Sequence, residues 1–316
     1  MKVVTSAKIR RDIREQLIKS YSELDFQFHT NIDEAEVDLF DADVLITYGE
    51  DLNDEHIYQA KKLKWIMVIS AGLDEMPFEA INKQGITVTN AKGIHAIPMA
   101  EYTIGMMLQV SRQAKVVIEN EYNKKWDRSP TMTELSGKTI GILGAGSIGQ
   151  EIARLSKAFN MKVIGLNRSG SQVKNFDEIV TKNQLESLLK ESDFLVSVLP
   201  KIKETNNILG EDEFFQMKKN AILINIGRGN VINEQDLIKA LQKEEIQHAV
   251  LDVFNEEPLP KENSFWLNEK ITVTPHLSGI SPQYQPRAFE IFDHNMKVFL
   301  GDAEKYINLI DPEKGY

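Results

Sequence analysis

Three short segments of the 316-residue chain carry a cation, a carboxylate and an imidazole. Asn225-Ile226-Gly227-Arg228-Gly229 offers Arg228, the run from Asp252 to Pro260 offers Glu257, and Thr274-Pro275-His276-Leu277-Ser278-Gly279 offers His276. Each follows an apolar, β-branched run that reads as a strand, and open α/β sheets bind ligands just beyond the carboxyl ends of their strands. A planar guanidinium donates two parallel bonds to a carboxylate. An imidazole exchanges protons near neutral pH, and a neighbouring carboxylate orients it and favours its protonated form. Singly, each residue is an ordinary loop side chain; their shared place after a strand is what points to a site.

A fourth loop supplies the partner for that chemistry. Gly144-Ala145-Gly146-Ser147-Ile148-Gly149 follows the apolar run 139–143 and opens a helix-compatible stretch at 150–159. In a G-x-G-x-x-G turn the first glycine permits the tight turn and the second lets backbone N–H groups approach a pyrophosphate. The third lets helix and strand pack, and the helix N-terminus favours the anion. A dinucleotide site is expected, the alternative being a glycine-rich turn or a site for another nucleotide-like ligand.

Cofactor choice is read after the next strand. NAD-specific sites usually place Asp or Glu there, about 20 residues past the glycines, to hold the ribose and repel a 2′-phosphate. This chain has Asn167, then Arg168 and Ser169, with Lys174 nearby. A cation and a hydroxyl favour an anionic phosphate, so NADP(H) is expected over NAD(H), with NAD(H) still possible.

These loops need elements to hold them. Short β-branched runs at 2–5, 44–47, 65–69 and 86–89, and again at 139–143, 162–166, 194–198, 221–225, 249–251 and 271–274, alternate with stretches of helical period. That pattern predicts an α/β fold with two doubly wound parallel sheets. Pro98 suits the first turn of a hinge helix running from 99 to about 117. The polar stretch 120–137, with Trp126 and Pro130, reads as a surface crossing, and 288–300 reads as a final helix. Methionines 99, 106 and 107 read as packing, and the acids within 33–43 as a solvated face. Of the other histidines, His29, His56, His248 and His294 read as surface or packing residues; His95, just before the hinge helix, is the exception that could face a cleft.

Composition narrows the function. With 42% hydrophobic and 27% charged residues the chain has the make-up of a soluble globular protein, and its length suits two domains. A net charge of −10 disfavours nucleic acid and anionic membrane as partners. No signal-peptide pattern or long apolar run is present, and the lack of cysteine excludes disulfides and fits a cytoplasmic location. No histidine or cysteine cluster suggests a metal.

At the residues named above, the chain resembles the D-isomer-specific 2-hydroxyacid dehydrogenases, a family that includes glyoxylate/hydroxypyruvate reductases, D-lactate and phosphoglycerate dehydrogenases. The resemblance runs from Ser70-Ala71-Gly72-Leu73-Asp74 through Thr89-Asn90-Ala91-Lys92-Gly93 and Ala100-Glu101-Tyr102 to the loops above and the closing Gly315-Tyr316. Ser278 departs from it, standing where a small apolar residue is frequent.

The resemblance implies a Rossmann coenzyme domain at 99–279 inserted in a discontinuous, flavodoxin-like substrate domain at 1–98 and 280–316, with the active site in the cleft. It implies that Arg228 holds the substrate carboxylate and 2-oxo oxygen, that His276 is the acid and base, and that Glu257 orients it. By the same resemblance, amides of Ala71 and Gly72 grip the substrate carboxylate and Asp252 lies near the nicotinamide carboxamide. Pro200 shapes the cofactor wall, Ile226 and Gly227 add to that surface, and a homodimer forms around Met99 to Trp126. The expected reaction is hydride transfer between NAD(P)H and a small 2-oxo or 2-hydroxy acid. The competing expectation is a nicotinamide-sensing, corepressor-like protein on the same fold.

Overall fold

The computed structural model describes residues 1–73 and 75–313. Asp74 and the closing Gly315-Tyr316, which contribute to the family resemblance, lie outside the described residues. The chain divides into two compact units, Met1–His95 with the segment that starts at Ser281, and Ala96–Ile280.

In the first unit, β1 (Lys2–Thr5), β2 (Asp25–Phe28), β3 (Val44–Thr47), β4 (Trp65–Val68) and β5 (Thr87–Asn90) pair in parallel in the order β2-β1-β3-β4-β5. Every residue of β3 and β4 is buried, as parallel strands are when helices cover both faces. The helix Tyr284–Leu300 returns to this sheet. There Trp65 stacks on Phe292 with centroids 5.4 Å apart, and its indole N–H donates to Thr89 Oγ1 at 2.9 Å.

The second unit holds β6 (Thr139–Leu143), β7 (Lys162–Leu166), β8 (Glu178–Val180), β9 (Phe194–Ser197), β10 (Ile222–Asn225), β11 (His248–Leu251) and β12 (Ile271–Val273). They form one parallel sheet in the order β12-β11-β10-β9-β6-β7-β8. The chain runs from β6 outward to β8 and then restarts on the other side of β6 with β9. That reversal opens a crevice at the carboxyl ends of β6 and β9, where ligands bind in such sheets. The two doubly wound parallel sheets expected from sequence are both present.

Two strands escaped the sequence reading. Asp25–Phe28 and Glu178–Val180 are the edges of their sheets, where one neighbour suffices and no continuous apolar run is needed. The hinge helix also differs from expectation. It starts at Ala96 and stops at Ser111, and a second helix follows at Ala114–Tyr122. Gln113 takes a left-handed φ of 54°, which an α-helix cannot continue through. Acids expected only as a solvated face also hold the chain start, since Asp38 and Asp41 each pair with Lys2 Nζ at 2.7 Å.

Candidate active site

The glycine loop is built for close approach. Gly144 has φ of 111°, and a Cβ on it would press within 2.9 Å of Val198 Cγ2, so the turns after β6 and β9 meet there. The amides of Gly144 and Ala145 donate to the Leu166 carbonyl at 3.0 and 3.1 Å, tying the loop to the end of β7. A Cβ on Gly149 would run into the Gly144 carbonyl, whereas one on Gly146 would meet nothing. The open side thus faces outward at Gly146 and Ser147, at the start of the helix Ser147–Ala158, whose first N–H groups have no partner within the helix. Ile148 packs inward. These residues fit the pyrophosphate of a dinucleotide, which a glycine cradle and a helix N-terminus favour together.

Beyond β7 the Asn167 amide is occupied in shaping its own turn. Its Nδ2 donates to the Ser171 carbonyl at 2.9 Å, and its Oδ1 accepts from Gly170 N at 2.7 Å and Ser169 Oγ at 3.4 Å. Arg168 is exposed, with no side-chain partner among the described residues. No carboxylate stands at this turn. Pro200 is exposed after β9, and its carbonyl accepts from Thr205 Oγ1 at 2.7 Å.

The three loops after β10, β11 and β12 are locked to one another. The buried Asn225 pins the first: its Nδ2 donates to the Arg228 carbonyl at 3.0 Å and its Oδ1 accepts from Gly227 N at 3.2 Å. Gly227 lies against the Leu199 backbone, and Gly229 lies so close to Phe254 that a Cβ would strike its carbonyl. The Arg228 turn therefore rests on the loop that carries Glu257. Ile226 is buried beneath it. Arg228 itself is half-buried, and its Nη1 donates to the Gly227 carbonyl at 2.9 Å.

Glu257 and His276 are brought together. Glu257 Oε1 accepts from Phe254 N at 2.9 Å, and its Oε2 lies 2.7 Å from His276 Nδ1. The ring's Nε2 has no partner among the described residues, and half of the His276 side chain is exposed. Its backbone is unusual, with φ of 51°, a region that costs a branched or ring side chain about 1–3 kcal/mol unless the surroundings impose it. Asp252 imposes it. Fully buried, that residue accepts from Thr274 Oγ1 at 2.6 Å and Leu277 N at 3.0 Å on one oxygen, and from Ser278 N at 2.9 Å on the other. Its carbonyl accepts from His276 N at 2.9 Å. The Ser278 amide is thus part of the loop's anchor, and Asp252 spends its carboxylate inside the protein.

Ala71 and Gly72, in the other unit, have carbonyls that accept from Asn90 Nδ2 and Ser70 Oγ at 3.0 Å each. Their own amides donate to no described group. His95 packs its ring beside Tyr284, with centroids 5.2 Å apart. His248 is a packing residue, as expected, with Nε2 at 2.9 Å from Thr272 Oγ1; burial, and then the charge of Lys115, push its pKa down to about 4.

Two supports of the site, Asn225 and Tyr102, were given no role from the sequence. Asn225 could have been suspected from an Asn two residues before a glycine, a turn-forming pattern. Tyr102 could not, since its hydroxyl meets Thr274 Oγ1 at 2.6 Å from 172 residues away.

A dinucleotide cradle at the switch point, with an imidazole–carboxylate pair and an arginine on neighbouring turns of the same sheet, defines a nicotinamide-dependent oxidoreductase. Comparison with known proteins agrees. Residues 104–278 match the family model described as D-isomer specific 2-hydroxyacid dehydrogenase, NAD binding domain. Glyoxylate reductase of Aeropyrum pernix is 34% identical over 271 residues, covering 82% of this chain and 80% of that one. A solved structure of a D-isomer specific 2-hydroxyacid dehydrogenase family protein from Aeromonas salmonicida subsp. salmonicida superposes with a TM-score of 0.87 at 32% identity, covering 98% of this chain and 99% of its own. An acyclic imino acid reductase solved with NADPH and D-Arg gives a TM-score of 0.84 at 28% identity, covering 98% of this chain and 100% of its own. The chain spans about half the length of the D-3-phosphoglycerate dehydrogenases of Methanocaldococcus jannaschii and Rattus norvegicus that it matches. It belongs to the D-isomer specific 2-hydroxyacid dehydrogenase family and is an oxidoreductase acting on CH–OH donors. The sensor alternative is not favoured. Among the described residues no helix is long and apolar enough to cross a membrane.

Proposed function

We propose that this chain reduces a small 2-oxo acid, glyoxylate or hydroxypyruvate, to the 2-hydroxy acid with D stereospecificity, preferring NADPH. The observation that carries this reading is the 2.7 Å pairing of His276 Nδ1 with Glu257 Oε2, which leaves Nε2 without a partner among the described residues. Held in that way, the imidazole donates the Nε2 proton to the 2-oxo oxygen during reduction and removes it during oxidation. Arg228 grips the substrate carboxylate and polarises the carbonyl as negative charge develops. Bound nicotinamide would supply the hydride, with Gly144 to Gly149 holding the pyrophosphate, Pro200 along its wall, and the buried Ile226, Gly227 and Asp252 supporting that wall from behind. In this reading 99–279 is the coenzyme domain, and 1–98 with 280–316 the substrate domain.

Preference for NADPH rests on the turn after β7. Asn167 has its oxygen committed to Gly170 N and brings no charge against a 2′-phosphate, and the exposed Arg168, with no side-chain partner among the described residues, would pair with one. Comparing kcat/KM for NADPH and NADH with glyoxylate, in wild type and Arg168→Ala, tests it. The wild type is expected to favour NADPH, and the variant to lose about tenfold with NADPH alone, the worth of one charge-assisted bond. A wild-type ratio favouring NADH would sink the cofactor preference, and failure on every 2-oxo acid in a panel would sink the activity.

A homodimer in the cytoplasm belongs to the same proposal. The helix Ala114–Tyr122 buries none of its residues within the chain, and Tyr122 and Trp126 are 86% and 93% exposed. Exposed apolar side chains such as these are what self-association would cover.

A further inference from the structure

The His276 turn is held from beneath by a chain of side-chain hydrogen bonds that begins on a distant helix. Thr274 Oγ1 donates to Asp252 Oδ1 at 2.6 Å. A threonine has one hydroxyl proton, so at the 2.6 Å contact between Thr274 and Tyr102 the phenol must be the donor. Tyr102 stands on the helix Ala96–Ser111, which packs against the cofactor-loop helix Ser147–Ala158. The order is therefore Tyr102 to Thr274 to Asp252, and Asp252 holds the turn before His276 through Thr274 and after it through the amides of Leu277 and Ser278. Between these anchors lies His276 with its left-handed φ of 51°.

We propose that Tyr102 is a positioning residue for the reaction: by donating to Thr274 it keeps Asp252 and the 274–278 turn in one arrangement, and so holds the His276 ring on Glu257. The phenol suits that task. It is a permanent donor over the working pH range, because burial pushes its pKa up to about 12. The turn needs such a donor because a non-glycine residue at positive φ relaxes when its surroundings no longer impose it. Losing the phenol leaves Thr274 free to rotate away from Asp252. The chain also passes from the first unit into the second at the start of Tyr102's helix, and leaves it again just after the turn, at Ile280. The Tyr102–Thr274 bond joins the two segments that carry those crossings.

This inference rests on His276 as the acid, and the experiment separates the two claims. Steady-state kinetics with NADPH and glyoxylate would be run on wild type, Tyr102→Phe, Thr274→Val, Thr274→Ser, the Tyr102→Phe/Thr274→Val double variant and His276→Asn, with melting temperature and NADPH affinity measured on each. Tyr102→Phe and Thr274→Val are each expected to lower kcat about fivefold, the worth of one hydrogen bond, with KM and NADPH affinity close to wild type. The double variant is expected to be no worse than the poorer single one, because both break the same chain. Thr274→Ser, which keeps the hydroxyl, is expected to regain most of what Thr274→Val loses. Wild-type kcat in Tyr102→Phe, or losses that multiply in the double variant, would overturn the positioning role while a dead His276→Asn leaves the acid assignment standing. Full turnover in His276→Asn would take down both.

Discussion

Removal of His276 and removal of Arg228 are expected to fail differently, because in the proposed mechanism one side chain acts only as charge moves and the other also binds. His276→Asn keeps a side chain of similar reach but no exchangeable acid. Its kcat is expected to fall about a hundredfold or more, with NADPH affinity unchanged. Arg228→Ala removes a guanidinium whose turn is fixed by Asn225 and Gly229, so glyoxylate KM is expected to rise and kcat to fall together, about a hundredfold in kcat/KM. Stopped-flow binding of NADPH beside steady-state kinetics on both variants decides this. A His276→Asn enzyme near wild-type turnover would show that the acid is some other group. The Glu257 pairing explains why the imidazole presents Nε2 outward, since Nδ1 is held by a carboxylate that the Phe254 amide itself keeps in place.

At the scale of elements, the glycines of the cofactor turn do separate jobs, and variants should divide accordingly. Gly149 packs the helix Ser147–Ala158 onto the end of β6, and a methyl there meets the Gly144 carbonyl. Gly149→Ala is expected to cost about 2–3 kcal/mol, seen as a drop in melting temperature of about 5–10 °C. Gly146 has nothing within 4 Å of its missing Cβ among the described residues. Gly146→Ala is expected to melt with the wild type yet bind NADPH at least tenfold more weakly, because a methyl there meets no described group and would obstruct the proposed pyrophosphate site. Thermal denaturation and fluorescence titration on the two variants check the division, and a destabilised Gly146→Ala with normal affinity would reverse it.

For the whole molecule the prediction concerns association. Ile118, Tyr122 and Trp126 lie on one short stretch with 63%, 86% and 93% exposure. Light scattering is expected to give a dimer at micromolar concentration, and Ile118→Glu combined with Trp126→Ala to give a monomer that keeps its fold. A wild-type monomer with full activity would end the proposal. Net charge of −10 keeps the rest of the surface from sticking non-specifically.

The amino-acid sequence by itself determined the alternation of buried strands and helices, and with it the loops on which Arg228, Glu257, His276 and the glycines sit. Such facts are local: a strand buried on both faces needs an uninterrupted apolar run, and a tight turn needs glycine. Edge strands such as Asp25–Phe28 escaped because half-burial demands no such run. The break at Gln113 escaped too, since nothing in a glutamine announces a left-handed backbone. Tertiary structure alone decided that His276 Nδ1 meets Glu257 across 19 residues, that Asp252 turns its carboxylate inward to anchor the His276 turn, and that Tyr102 reaches Thr274 across 172. Those pairings are set by which strands neighbour one another in the sheet and which helix covers them, and strand order is a property of the folded chain that no single stretch of sequence contains.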